Sequence, residues 1–214
     1  IILLTALVFS CKDFEELEKN PNKPTSAPAS LVLNAVLNDL YERPWSLEHR
    51  QNQFWCCNYN YYGTNEYWAS ATLNFMTLKN VVKMEEEAIA LGGGAVNPYS
   101  AIGKFLRAYF YVRMTQRVGD LPLNEALKGL EGVAPVYDTQ KEVYLQVLTW
   151  LDESNTELAQ LIAANNFTLA GDFYFNNDLT KWQRAVNTFK LRVLISLSKK
   201  EADADLNVKA RFKA

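Results

Sequence analysis

The sequence has a single histidine, His49, among its 214 residues. A catalytic triad built on histidine, or a histidine-based zinc site, would therefore depend on this one residue. Its surroundings, SLEHRQNQ, hold no second ligand at a spacing that metal sites use. We interpret His49 as a surface or interface residue, and we predict no metal ligand and no cofactor.

Cysteine is also scarce, with only Cys11, Cys56 and Cys57 present. An odd number of cysteines, two of them adjacent, excludes an ordinary disulfide framework. Adjacent cysteines seldom pair, because the ring that they would close is strained. We interpret Cys56 and Cys57 as small buried apolar residues.

Neither sign of charge is in excess, since 22 basic residues face 24 acidic ones and the formal net charge is −2. Nucleic-acid binding usually needs a basic face, and none stands out. A glycosidase would need two carboxylates opposed across a sugar, one of them in an apolar setting. The acidic run from Glu85 to Glu87 is instead typical of a solvated helix face, so no catalytic residue is predicted.

Long hydrophobic runs are missing apart from Ile1 to Phe9, in which only Thr5 is polar. Nine residues are too few to span a bilayer as a helix but suit the apolar part of a signal peptide. Small Ser10 followed by Cys11 completes a lipobox pattern, in which the cysteine thiol is acylated. We therefore predict a partial signal peptide over residues 1–10 and lipid attachment at Cys11. The alternative is an ordinary secretory signal with an incidental cysteine.

Residues 11–30 have the composition of a tether. An acidic cluster from Asp13 to Glu18 follows Cys11 directly and is similar to the surface-export signal of Bacteroidetes lipoproteins. The segment from Asn20 to Ser30 holds three prolines and few large apolar residues, which favours an extended linker.

Helical periodicity begins after this tether. The first helical stretch starts after Ser30 and is closed by Pro44, and a second starts near Trp68 and ends at the run Gly92 to Gly94. The apolar face of the first consists of Leu33, Val36, Leu37, Leu40 and Tyr41. That of the second consists of Ala71, Phe75, Leu78, Val82 and Ile89.

The remaining helices have clear start signals. Asn97 and Pro98 form a cap and a first turn for a helix that Gly119 ends, and its apolar surface is broad enough to be covered on several sides. The sequence TQKE from Thr139 to Glu142 is a capping box that opens another helix. A last helix from Leu179 to Lys199 bears two apolar stripes. One contains Trp182, Val186, Phe189, Val193 and Leu197, and the other Leu191, Leu194 and Ile195.

No strand pattern is present, so the predicted fold is all-α, with antiparallel helix pairs packed side by side. Two apolar faces on one helix suit a middle layer in a stack of such pairs. No short exact sequence repeat is present, so any tetratricopeptide character would be degenerate.

Three blocks from Asn97 onward carry a family resemblance. They read AIGKFLRAYFYVRMTQRVGDLPLNEALKG, PVYDTQKEVYLQVLTWLDESNTEL and GDFYFNNDLTKWQRAVNTFKLRVLISLSKK. In this order they resemble the SusD/RagB family, especially its SusD-like nutrient-binding branch. Trp182 and Asn187 fall where the family has them, and Cys11 and the Asn20-Pro21-Asn22 segment extend the likeness.

The resemblance implies fold, place and partner. We expect residues 31–214 to be the N-terminal part of a SusD-like helical domain in a degenerate tetratricopeptide-like stack, with the C-terminal part absent. The protein would be a non-enzymatic lipoprotein of the outer membrane that faces the cell surface. It would sit on a TonB-dependent SusC-like transporter and pass it an oligosaccharide or a peptide. The alternatives are a helical-repeat adaptor that binds only protein and a surface glycan hydrolase.

The aromatic segment, defined as Phe54 to Trp68, is the candidate binding site. It places seven aromatic residues in fifteen positions, interleaved with asparagines, at a spacing that fits neither helix nor strand. Rings stack on the apolar faces of sugars, and amides bond hydroxyl groups. The predicted ligand-binding residues are Trp55, Asn58, Tyr59, Asn60, Tyr61 and Tyr62. The same rings could instead pack in the core or contact the transporter.

Overall fold

The computed structural model describes residues 26–42, 44, 46, 49, 71 and 73–213. In this part of the chain all the regular elements are helical, and the only extended pairing is an isolated bridge between Leu121 and Asp138. The predicted signal peptide, most of the predicted tether with Cys11, and the whole aromatic segment lie outside the described residues. Among the described helices, none combines the length and the apolar character that crossing a membrane requires.

Six α-helices follow one another. They are α1 (Ala29–Asn38), α2 (Phe75–Ala90), α3 (Pro98–Val118), α4 (Gln140–Ala163), α5 (Leu179–Ser196) and α6 (Val208–Lys213) among the described residues. Short 3₁₀ turns cover Gly129–Gly132, between α3 and α4, and Ser198–Lys200, after α5.

The predicted caps of α3 and α4 are confirmed. The Asn97 side chain accepts hydrogen bonds from the N–H groups of Tyr99 and Ser100, and the Ser100 hydroxyl accepts one from the Asn97 N–H. Thr139 and Glu142 exchange the same pair of bonds at the start of α4. Each box satisfies N–H groups that the first turn of a helix leaves without an internal partner.

Consecutive helices run antiparallel. Near the start of α3, the Ala101 carbonyl accepts from Ser154 late in α4 at 2.7 Å. At the other end, the Thr115 carbonyl accepts from Gln140 at 2.8 Å. Residue numbers that rise along α3 therefore fall along α4, as in an antiparallel pair.

The contact between α3 and α5 is parallel. Phe105 lies against Trp182, with ring centroids 5.7 Å apart, and Tyr109, one turn later, lies against Phe189 at 5.3 Å. Alternate helices that run parallel beside antiparallel neighbours are the arrangement of tetratricopeptide-like stacks. The all-α, antiparallel-pair prediction is confirmed.

Helix α3 is the centre of the core, because α2, α4 and α5 all pack against it. Its buried side chains point to several sides, as its broad apolar surface predicts: Ala101, Ile102, Phe105, Leu106, Phe110, Tyr111 and Met114. The first predicted apolar stripe of α5 is also confirmed as a core face, since Trp182, Phe189 and Val193 are all buried.

Several element details differ from the sequence predictions. Helix α1 ends at Asn38, well before Pro44, and Tyr41 is 57% exposed. Helix α2 starts at Phe75, and Ile89, assigned to its apolar face, is 53% exposed. The side that α2 turns toward α1 and α3 is formed by Leu78, Val81, Met84 and Ala88. That face is rotated from the predicted one, because α2 packs against both α1 and α3.

The second stripe of α5 is covered only in part within the described chain. Leu194 is buried, but Leu191 is 43% exposed and Ile195 61% exposed. The first stripe faces α3 and α4, and all its side chains are buried. The described helices thus cover one of the two faces that the sequence predicts.

Candidate ligand-binding surface

The predicted binding residues Trp55, Asn58, Tyr59, Asn60, Tyr61 and Tyr62, like Cys11, lie outside the described residues. The structure does place the chain on both sides of the aromatic segment. Residues before it and residues after it line one open cleft of about 670 Å³. They include Tyr41, Glu42, Pro44 and Ser46 on one side, and Leu73, Asn74, Met76 and Thr77 on the other. The described residues that flank the aromatic segment in the sequence therefore lie at this end of the α1–α2 pair.

Two cross-helix bonds hold this cleft in shape. The Thr77 hydroxyl donates to the Asp39 carboxylate at 2.7 Å, which joins the end of α1 to the start of α2. The Asn74 N–H donates to the sulfur of Met114 at 3.1 Å, which joins the start of α2 to α3. His49 lies nearby, with its Nδ1 3.5 Å from the Ser46 hydroxyl. The described residues include no cluster of histidine, cysteine and acidic side chains that could hold a metal ion.

Arg113 connects the cleft to α3. Its guanidinium forms an ion pair with Glu42 and lies over the ring of Tyr109, 5.7 Å from the centroid. Such a cation–ring contact orients the aromatic face and leaves polar atoms beside it. A ring with hydrogen-bonding groups at its edge is what recognition of a sugar or a peptide side chain requires.

A groove between α3 and α5 continues the surface. It encloses about 470 Å³ and has an aromatic floor formed by Phe105, Tyr109, Phe175 and Phe189. Its rim carries Lys181, Arg184 and Arg192, and none of the described residues that line it is acidic. In a chain of net charge −2, this is a local concentration of positive charge beside an apolar floor.

The acidic run of α2 differs from its predicted role as a solvated face. Glu86 is exposed, but Glu87 is buried and pairs with Lys83 at 2.8 Å. Glu85 pairs with Arg107 of α3, and burial lowers the pKa of the Arg107 guanidinium. Glu85 and Glu87 thus form ion pairs within the helix stack. This pairing argues against a role as two carboxylates opposed across a substrate.

Sequence reasoning missed the contribution of Tyr109, Arg113 and Arg192 to this surface. A signal for part of it is present, because Tyr109, Arg113 and Arg117 follow a four-residue spacing and so share one side of α3. The pairing of Arg113 with Glu42, distant in sequence, has no such signal.

Comparison with known proteins gives a consistent result. The model of the SusD-like family, described as starch-binding and associating with the outer membrane, matches residues 21–214. A search of curated proteins gives no match.

Solved structures include close relatives in fold. A SusD homologue from Bacteroides fragilis has 30% sequence identity and a TM-score of 0.72 over 87% of this chain and 39% of its own. An outer-membrane protein from Bacteroides vulgatus, associated with nutrient binding in its description, has 27% identity and a TM-score of 0.71 over 87% of this chain and 40% of its own. The chain thus spans about two fifths of the length of these relatives.

Proposed function

Because this chain belongs to the SusD-like family of starch-binding proteins that associate with the outer membrane, we propose that it is a nutrient-binding lipoprotein of the cell surface. It captures an oligosaccharide or a peptide and passes it to a TonB-dependent SusC-like transporter. Cys11 carries the lipid anchor, and the acidic residues after it direct the protein to the outer face. The observation that carries the proposal is the family match over residues 21–214.

The proposed mechanism is recognition without bond chemistry. In the aromatic segment, Trp55, Tyr59, Tyr61 and Tyr62 stack on the ligand, and the amides of Asn58 and Asn60 bond its hydroxyl groups. The cleft between Glu42 and Leu73 supports this proposal, because described residues that precede the segment in the sequence and described residues that follow it line one open surface. Stacking and a few hydrogen bonds give modest affinity, which suits a protein that must release its cargo.

The test measures ligand affinity and melting temperature together. Glycan and peptide arrays first identify the ligand class. Tyr61→Ala and Tyr62→Ala are then expected to weaken binding by about 1 kcal/mol each, since each removes one stacking ring. Tyr137→Ala is the matched control, because Tyr137 is an exposed tyrosine in the connection between α3 and α4.

Unchanged affinity together with a lowered melting temperature would place Tyr61 and Tyr62 in the core and exclude them from the site. Binding of neither glycans nor peptides by the native protein would contradict the proposed function itself and favour the helical-repeat adaptor.

A further inference from the structure

We draw no further inference here: the strongest candidate, the groove between α3 and α5 with its aromatic floor and its rim of Lys181, Arg184 and Arg192, is open in a chain that spans about two fifths of the length of its relatives, and nothing in the described part of the structure shows what covers it.

Discussion

At the scale of single residues, the ring of Phe105 is the point at which α3 and α5 meet. Its centroid lies 5.7 Å from those of Trp182 and Phe189, both in edge-on geometry, and 6.2 Å from that of Tyr109. Edge-on aromatic contacts add to the stabilisation that burial gives. The outer side of this cluster is the floor of the α3–α5 groove, and its inner side packs in the core.

Phe189→Ala should lower the free energy of unfolding by about 3–5 kcal/mol, because it removes a buried ring and leaves a cavity beside Phe105 and Tyr109. Chemical denaturation monitored by circular dichroism measures the change. Ile195→Ala is the control in the same helix, since Ile195 is 61% exposed, and it should change stability by less than about 0.5 kcal/mol. Equal effects of the two substitutions would mean that the α3–α5 contact is not part of the core.

How far single residues could be predicted depends on whether their partners are local. Trp182, Phe189 and Val193 could be assigned to the core from helical spacing alone, because a regular helix places them on one side. The burial of Glu87 and the pairing of Glu85 with Arg107 could not, since acidic residues in a row are usually solvated. Gly103 leaves room for the Glu85 side chain in this pairing, because a Cβ atom at position 103 would meet the Glu85 carboxylate.

At the scale of elements, a helix boundary could be predicted where its signal is local in the sequence. The start of α4 is set by Thr139 and Glu142 within one turn, so the chain itself carries the information. The end of α1 and the start of α2 depend on the bond between Asp39 and Thr77, which lie 38 residues apart. No local pattern reports a contact of that kind, and the sequence therefore predicts both helices longer than they are.

Thr139→Ala should cost about 1 kcal/mol of stability, because the N–H of Glu142 loses its hydroxyl acceptor at the start of α4. Thr149→Ala is the control in the middle of the same helix, where the Thr149 hydroxyl bonds only the Leu145 carbonyl. This second change should leave stability level or raise it slightly, since alanine has the higher helix propensity. A larger loss at Thr149 than at Thr139 would contradict the capping role.

The loop that carries Phe173 and Tyr174 shows what sequence reasoning misses at this scale. Its sequence, GDFYFNND, lies in the third block of the family resemblance, directly before the predicted start of the last helix. The fold gives the loop its form through Asp172, whose partner Trp182 lies in the next helix. The exposure of Phe173 and Tyr174 has no signature in the hydrophobic pattern.

At the scale of the whole molecule, the described helices form a stack in which one end carries most of the candidate surface. The cleft at Tyr41 and Glu42, the Arg113–Tyr109 contact and the α3–α5 groove are continuous through shared residues. The fold class could be predicted because an all-helical pattern with strong caps leaves few architectures. The composition of the surface could not, since it joins residues of α3, α5 and the segment after α1.

The central claim is that the protein holds a nutrient at the cell surface, and retention of a labelled ligand by intact cells tests it most directly. The ligand is the fluorescent form of the compound that the purified protein binds most tightly. Cells that produce the native protein are compared with cells that lack it and with cells that produce Cys11→Ala, which removes the proposed lipid anchor. We expect strong retention by the first cells and only background retention by the other two, with the Cys11→Ala protein unanchored. Equal retention by cells with and without the protein would contradict the account.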